Sequence, residues 1–297
     1  MNVLFGKCFG LGNAVMSVPA IKALASMGHS VDVLIGSTSD DTGAWDVFSR
    51  LKESCGCIRD IYVDAAIGSP RYDVAIMSIP FDGRWRKGHH FDADRIIDAR
   101  TRPDPSTTGL VSWEKHEIEY QMDNVYDLGY RGDVPDCSFM SPEEWALRPR
   151  VFYLGVGYKK DAAGFWKFKH WGNERYAELV KMVLDENPMN LIYTSGDMAD
   201  LQLSINPISR VVQSERFVYV PGNLRTSLDL VKRCGTYFGN DTGMMHVAAA
   251  CGAKTIGIFM DEKLVTKNHP WTNDWSAIHG WKDVPVREIS NKIVGVD

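Results

Sequence analysis

The segment GNDTGMMHVAAACG, residues 239–252, places an acid, a hydroxyl and a glycine before a run of small and apolar residues whose composition predicts a helix. His246 lies four residues after Thr242, and residues four apart share one helical face. The first amides of a helix have no partner within it, so a helix start can bind an anion. The segment therefore predicts a site where Thr242 and His246 donate to a ligand oxygen and Gly243 lets that oxygen approach the backbone.

Two residues of this segment also have a purely structural interpretation. Aspartate is a favoured N-cap residue, so Asp241 taken alone is most economically the cap of the predicted helix. His246 taken alone is most economically a partly buried structural histidine. The segment by itself leaves both interpretations open.

A lysine stands ahead of another predicted helix, in KFKHWGNERYAELVKMV, residues 167–183. We expect Asn173 to be the N-cap of this helix, with Glu174 in its first turn. Lys169, just before that helix entrance, offers a mobile point charge that suits a phosphate. A solvated surface lysine is the alternative.

The first glycine-rich loop is GKCFGLGNAVMS, residues 6–17. A dinucleotide-binding fold would have G-x-G-x-x-G here and an acid at the end of the second strand. Gly10 and Gly12 supply two of the glycines, Val15 stands where the third belongs, and residues 35–37 contain no acid. The segment therefore argues against a nicotinamide dehydrogenase, and a tight turn without a ligand is the alternative.

Strand-like and helix-like segments alternate along the chain, which predicts parallel sheets with helices on both faces, an α/β architecture. The pattern restarts after FMSPEEWALRPR, residues 139–150, which carries two prolines and a cluster of charges. We expect two Rossmann-like doubly wound domains, 1–145 and 146–297, whose strands point their carboxyl ends into a shared cleft. The predicted strands are Val3–Phe5, Val31–Ile35, Ile58–Val63, Asp73–Met77, Val151–Val156, Asn190–Thr194, Gly235–Phe238 and Thr255–Phe259, and the predicted helices are Val15–Met27, Glu117–Leu128, Glu174–Leu184, Leu228–Cys234 and the run after Gly243.

The composition of the 297 residues, 44% hydrophobic and 24% charged, is that of a soluble globular protein. The net charge of −5 provides no global basic field for nucleic acid. The N-terminus runs directly into a predicted strand rather than a signal core, and no apolar run approaches the length of a membrane span. The six cysteines, which include Cys55 and Cys57, are expected to be reduced thiols in the cytoplasm.

Four motifs follow one another along the chain: GLGNAVMSVPAIKAL (10–24), HEIEYQMDNVYDLGY (116–130), KHWGNERYAEL (169–179) and GNLRTSLDLVKRCGTYFGNDTGMMHVAAACGAKTIGIF (222–259). The last resembles the donor-site signature of family 9 glycosyltransferases, the lipopolysaccharide heptosyltransferases and their relatives. The third is similar to the family's K-x-W-P-x-E-R-[FW]-x-E-L, with Gly172 where proline is usual. The first is similar to the family's N-terminal glycine motif, and the second to the helix that closes the first domain.

This resemblance implies a GT-B fold with the acceptor on the N-terminal domain and the sugar donor on the C-terminal one. It implies an inverting transfer from a nucleotide-diphosphate sugar, with no cofactor and no essential metal. Lysine charge and helix-start amides would stabilise the negative charge that grows on the nucleoside diphosphate as it leaves. In this chain Lys169 would hold the donor phosphates, Asp200 would bind the nucleotide ribose, and the pyrophosphate and sugar would be lined by Asp241, Thr242, Gly243 and His246.

Position 13 departs from the family pattern. The family's acid, thought to take the proton from the acceptor hydroxyl, corresponds to Asn13 in this chain. An amide cannot act as a general base at neutral pH, although Asn13, with Gly12 beside it, can orient an acceptor or a water. We expect Asn13 to be the last loop residue before a helix, where it contacts the acceptor or caps the helix. Three explanations would account for Asn13 in place of the acid. Another carboxylate acts as the base, with Asp41 and Asp82 the first to test; or the acceptor is unusual; or the activity is weak.

A basic segment, DGRWRKGHHFDAD (82–94), falls in the predicted acceptor domain of this otherwise acidic chain. Such a patch suits an anionic acceptor, either a phosphorylated lipid core or a nucleic acid. An exposed loop with chance clustering is the alternative. Asp92 and Asp94 form a D-x-D motif, but a three-residue motif is common and we assign it no metal. The basic cluster consists of Arg84, Arg86, Lys87, His89 and His90 around Trp85.

Three hypotheses follow. The preferred one is a monomeric, heptosyltransferase-like enzyme that acts on an anionic glycan or lipid-linked acceptor, in the cytoplasm or at the inner face of the membrane. The second is a GT-B enzyme that modifies another acceptor, such as hydroxymethylated bases in DNA, although the net charge weighs against it. The third, motivated by Asn13, is a nucleotide-sugar-binding protein without turnover.

Overall fold

The computed structural model of the chain describes residues 1–7, 10–35, 42–63, 71–77, 91–98, 114–140, 148–157, 170–259, 262–279 and 284–295. The chain divides into two compact units, Met1–Ser141 and Pro142–Asp297. The division falls inside the proline-containing segment 139–150. Among the described residues, no helix has the length and apolar character needed to cross a bilayer.

The first unit is built on a parallel sheet whose described strands lie in the order β3-β2-β1-β4-β5. The chain begins at β1, adds β2 and β3 on one side of it, and then adds β4 and β5 on the other. The elements are β1 (Asn2–Lys7), α1 (Leu11–Ser26), β2 (Ser30–Ile35), α2 (Thr42–Cys55), β3 (Ile61–Val63), β4 (Arg71–Met77), β5 (Asp92–Asp98) and α3 (Glu117–Tyr126).

The second unit has a parallel sheet in the order β11-β10-β9-β6-β7-β8. A short π-helical stretch, Leu201–Ile205, joins α5 to α6. The elements are β6 (Arg148–Gly155), α4 (Asn173–Glu186), β7 (Leu191–Thr194), α5 (Met198–Asp200), α6 (Asn206–Val212), β8 (Phe217–Tyr219), α7 (Leu224–Val231), β9 (Cys234–Asn240), α8 (Gly243–Ala250), β10 (Lys254–Ile258), α9 (Glu262–Asn268), β11 (Trp275–Ile278) and α10 (Val286–Val294).

The strand order of the second sheet reverses between β6 and β9. The chain starts at β6, runs outward through β7 and β8, and returns to place β9, β10 and β11 on the other side. In an open α/β sheet, a ligand binds outside the carboxyl ends of the strands at such a reversal. The topology therefore directs attention to the residues that follow β6 and β9.

The interior of the second unit shows why these segments form a sheet with covered faces. The central strands contribute Phe152, Phe238 and Ile256, which are at most 3% exposed. One apolar face of α4, which includes Val180, and one of α10, which includes Ile289, pack into the same core. Burial of apolar side chains of this size stabilises the folded chain by roughly 1.5–3 kcal/mol each.

A buried carboxylate near the amino end of the first sheet is fully compensated by hydrogen bonds. Asp32, in β2, is 0% exposed and accepts from Arg59 through Nε at 2.8 Å and Nη2 at 2.6 Å. The Tyr72 hydroxyl donates to the same carboxylate at 2.8 Å. Burial and this hydrogen bond raise the pKa of Tyr72, so its hydroxyl stays a donor. Asp32 therefore has a structural role, because removing one of its partners would leave a buried negative charge uncompensated.

Three details differ from the sequence-based expectations. Asp92–Asp98 is a strand, β5, rather than part of a charged loop, because its backbone pairs with β4 while the side chains of Asp92 and Asp94 stay exposed. Cys234 begins a strand and does not end a helix. The expectation of reduced thiols is wrong for Cys55 and Cys57, which form a disulfide.

Candidate active site

The turn between β9 and α8 presents backbone amides at the carboxyl edge of the second sheet. Thr242 occupies the N-cap position of α8, so the expectation of Asp241 as the cap is wrong. The Thr242 side chain makes no capping hydrogen bond, and the first backbone bond of the turn runs from Met245 N to Thr242 O at 3.0 Å. The amides of Gly243 and Met244 precede that bond, and both residues are partly exposed. An anion can therefore approach this helix start.

Asp241 precedes that partly exposed turn, and His246 follows it in the first turn of α8. Each is only 5% exposed. Asp241 Oδ2 accepts from Asn268 Nδ2 at 3.4 Å, and His246 is in the buried part of α8. The accessible surface of the turn is thus formed by residues 242–244, while the side chains of Asp241 and His246 are buried.

The turn is held by a tyrosine that lies across two strands. The Tyr237 hydroxyl donates to Asn240 O at 3.0 Å and lies 3.3 Å from Thr242 Oγ1. A Cβ on Gly155 would come within 2.1 Å of that hydroxyl, and a Cβ on Gly239, at φ 153°, within 2.2 Å of Gly155 O. Only glycine at both positions allows this approach.

Asn240, the last residue of β9, connects three elements through its side-chain amide. It is 0% exposed. Its Nδ2 donates to Val156 O at 3.2 Å and to Gly157 O at 3.4 Å, both just after β6. Its Oδ1 accepts a short hydrogen bond from the Tyr176 hydroxyl of α4.

Asp200 lies at the same sheet edge, between the ends of β6 and β7. Its backbone N–H donates to Asp197 Oδ1 at 2.9 Å, and its own Oδ2 accepts from Asp197 N at 3.3 Å. A Cβ on Gly196 would come within 2.6 Å of Asp200 Oδ2, and one on Gly157 within 3.3 Å. The two glycines therefore leave room for the carboxylate beside the end of β6.

The start of α4 differs from both the sequence-based expectation and the family pattern. Gly172 is the N-cap, and Asn173 is the first helical residue, so the expectation of Asn173 as the cap is wrong. Asn173 Nδ2 instead donates to Leu203 O at 2.9 Å. Gly172 has φ 112°, which proline cannot adopt because its ring fixes φ near −65°. The entrance to α4 therefore depends on a glycine at position 172, where the similar family motif has proline.

His170 lies just before that entrance and is held as a neutral imidazole. Gly172 N donates to Nδ1 at 3.1 Å, so Nε2 carries the proton that it shares with Ser204 Oγ at 3.0 Å. Burial lowers the pKa of His170 to about 4. The imidazole is therefore a structural anchor for this segment at neutral pH.

Asn13 lies inside the first helix of the first unit rather than before it. Gly10, at φ 91°, is the N-cap, and α1 begins at Leu11. Gly12 and Asn13 are therefore the second and third helical residues, and the expectations that Asn13 ends the loop or caps the helix are wrong. Asn13 is partly exposed, and its carbonyl accepts from Ser17 Oγ at 2.8 Å. Its side chain belongs to the first turn of α1, at the carboxyl edge of the first sheet.

Several predicted residues lie outside the described part of the chain. Asp94, by contrast, is described, and it pairs with Arg71 across β4 and β5. Within the ranges that the structure describes, no group of three or more His, Cys, Asp or Glu side chains is arranged to hold a metal ion. The predicted residues outside the described ranges are Lys169, Arg84, Arg86, Lys87, His89, His90, Asp41 and Asp82.

A second buried polar cluster near the same sheet edge was not foreseen from the sequence. Ser195 Oγ lies 2.6 Å from the Tyr153 hydroxyl and 2.6 Å from Ser227 Oγ. The Tyr153 ring stacks on that of Tyr237, with centroids 5.9 Å apart. The sequence feature that could have revealed this cluster is a tyrosine in a strand predicted to be buried, because a buried phenol needs a hydrogen-bond partner for its hydroxyl.

Comparisons with known proteins agree with this architecture. Residues 160–285 match the model of glycosyltransferase family 9 (heptosyltransferase). The fold matches the E. coli heptosyltransferase WaaC with ADP at a TM-score of 0.72 and 14% identity, covering 99% of each chain. It matches the E. coli ADP-heptose lps heptosyltransferase II at 0.69 and 16%, covering 99% of this chain and 98% of that one. A family 9 glycosyltransferase from Veillonella parvula matches at 0.69 and 14%, covering 98% and 88%.

A search of curated proteins finds no match to the sequence. The family match lies within the second unit and confirms the resemblance of that unit to family 9 glycosyltransferases. The structural matches confirm the GT-B fold with its two α/β units.

The low pKa of His170 makes the stability of the chain depend on pH. Between pH 6.5, the ordinary histidine value, and about 4, the unfolded chain binds a proton that the folded chain does not. The free energy of unfolding should therefore fall as the pH drops through this window, by about 2 kcal/mol from this residue. His170→Asn keeps an acceptor for Gly172 N but does not titrate. Urea unfolding at pH 7.5 and 4.5 should show a smaller decrease for this variant, and parallel decreases would contradict the assignment.

Proposed function

We propose that the protein transfers a sugar, with inversion, from a nucleotide-diphosphate sugar to an anionic glycan or lipid-linked acceptor, as heptosyltransferases do. The observation that carries the proposal is the partly exposed start of α8, which follows β9 at the reversal point of the second sheet. The family match spans this turn. Solved relatives of the same fold are described with ADP and with ADP-2-deoxy-2-fluoro heptose.

In this proposal the second unit binds the donor. The amides of Gly243 and Met244 and the hydroxyl of Thr242 receive the pyrophosphate, and Lys169 adds a mobile positive charge. These groups stabilise the charge that develops on the departing nucleoside diphosphate, which is where an enzyme gains most from fixed donors. Asp241 and His246 are proposed to line the pyrophosphate and the sugar with these groups, and the His246 imidazole is the proposed hydrogen-bond donor to the ligand.

Asp200 is proposed to select the nucleotide through its ribose. Its carboxylate accepts hydrogen bonds and lies at the carboxyl edge that also carries the α8 turn. A ribose diol offers two hydroxyl donors to one carboxylate. No metal or cofactor has a role in this scheme, because lysine charge and backbone amides supply the electrostatic stabilisation.

The first unit is proposed to bind the acceptor. Gly12 and Asn13, in the first turn of α1, orient the acceptor hydroxyl, and the negative charge of the acceptor is attracted by Arg84, Arg86 and Lys87.

We propose that the protein works as a monomer in the cytoplasm or at the inner face of the membrane. The same basic residues would serve an acceptor in DNA, and salt-dependent retention on DNA would distinguish that alternative.

Asn13 favours a second candidate function, a nucleotide-sugar-binding protein without turnover. An amide in the position of the family's acid cannot accept a proton at neutral pH. A thermal-shift screen of nucleotide sugars, followed by assays of donor hydrolysis and of transfer to glycan and lipid-linked acceptors, tests both candidates, because a bound donor raises stability by mass action. Binding with consumption supports the transferase, binding without consumption supports the second candidate, and no binding contradicts both.

Lys169→Ala should weaken nucleoside-diphosphate binding by about 1–3 kcal/mol, the range of a charge-assisted contact, without lowering the melting temperature. Lys181→Ala is the matched control, because Lys181 is on the exposed face of α4. Isothermal titration calorimetry of both variants measures the difference. Equal affinities for the two variants would remove Lys169 from the donor site.

Asn13→Asp should maintain or raise the rate of transfer, by up to about 100-fold if the new carboxylate acts as a general base. Aspartate also suits the first turn of α1, where the helix dipole stabilises a negative charge. Asn13→Ser, which shortens the side chain, should lower transfer at an unchanged melting temperature. If Asn13→Asp abolishes transfer in a folded protein, the position has another role, and Asp41 and Asp82 become the acids to substitute.

A further inference from the structure

We propose that Asn240 and Tyr176 are positioning residues. Their hydrogen bonds clamp the end of β6 to the end of β9 and thereby hold the β9–α8 turn, the proposed site for the donor phosphates, in place. The inference rests on the proposed function, because it names what keeps the proposed donor site in its binding geometry. Neither side chain is available to a ligand, since both residues are 0% exposed.

All the polar atoms of the Asn240 side chain are engaged inside the protein. Nδ2 donates to the carbonyls of Val156 and Gly157, and Oδ1 accepts from the Tyr176 hydroxyl. The Asn240 carbonyl accepts from the Tyr237 hydroxyl at 3.0 Å. The residue is therefore fixed through both its side chain and its backbone.

Each element that the clamp joins leads directly to proposed donor residues. Asn240 is followed by Asp241 and the α8 turn. Gly157 lies beside Asp200, whose Oδ2 would be 3.3 Å from a Cβ at that position. Tyr176 is in the first turn of α4, whose start follows Lys169 in the sequence. One amide thus joins the end of β6, the end of β9 and the first turn of α4.

The environment of Tyr176 makes this hydrogen bond consequential. Its ring packs edge-on against Trp171, at 5.3 Å between centroids, and against His170 at 5.6 Å. Burial raises the pKa of Tyr176 well above its usual range, so the phenol stays protonated and donates. Removing the hydroxyl would leave Asn240 Oδ1 buried without this partner, and the amide would lose its fixed orientation.

Tyr176→Phe tests the clamp, and Tyr153→Phe is its matched control. Tyr153 is also a buried tyrosine of the second unit, but its hydroxyl bonds to Ser195 and not to Asn240. In the ligand-free full-length chain, the amides of residues 157 and 240–243 should exchange hydrogen at least tenfold faster in Tyr176→Phe than in Tyr153→Phe. Inorganic pyrophosphate, which is common to all candidate donors, should bind about tenfold more weakly to Tyr176→Phe by calorimetry.

The two readouts separate the possible failures. Equal exchange in the two variants would overturn the clamp, and faster exchange with unchanged pyrophosphate affinity would overturn its positioning role. If the wild-type protein does not bind pyrophosphate, the proposed donor site itself is wrong, and the positioning role falls with it. Asn240→Asp, which keeps an acceptor for Tyr176 but replaces the donor to the two carbonyls, gives the same test if Tyr176→Phe does not fold.

Discussion

The close approach of β6 and β9 is the constraint on which the candidate site depends. Gly155 and Gly239 face each other in the ladder, and a Cβ at Gly239 would lie 2.2 Å from the opposite carbonyl. The missing side chains leave the space in which the Tyr237 hydroxyl reaches the β9–α8 turn. With the strands this close, the Asn240 amide can reach the carbonyls after β6. The anion-binding turn is thus a product of strand packing as much as of its own residues.

The alternation of strands and helices was sufficient to predict the α/β class, because parallel strands need helical crossovers. The motif around Asp241 could also be located from the sequence, because a turn from a strand into a helix involves only residues that are neighbours in the chain. The partners of Asn240 could not be predicted from the sequence, because Tyr176 is 64 residues away in the chain and only the fold brings it close. Strand β5 was not predicted because acidic residues such as Asp92 and Asp94 are more typical of loops than of strands.

The starts of α1 and α4 were misplaced for one shared physical reason. Asn13, Asn173 and Asp241 were each expected at or beside a cap because their side chains favour that position. In two of the three helices a glycine with positive φ, Gly10 or Gly172, turns the chain into the helix instead. Backbone geometry, which the sequence expresses only as a glycine, therefore outweighed side-chain capping. The correction also changes the chemistry, because it moves Asn13 from the loop into the first turn of α1.

The proposed function depends above all on binding of the nucleotide-sugar diphosphate at the β9–α8 turn. Hydrogen exchange of the full-length protein, with and without a saturating nucleoside diphosphate, tests it most directly. Exchange should become slower at the amides of Gly243 and Met244, because a bound phosphate oxygen accepts from them. Slower exchange confined to the Met1–Ser141 unit, with no change at this turn, would show that the diphosphate does not bind at the β9–α8 turn.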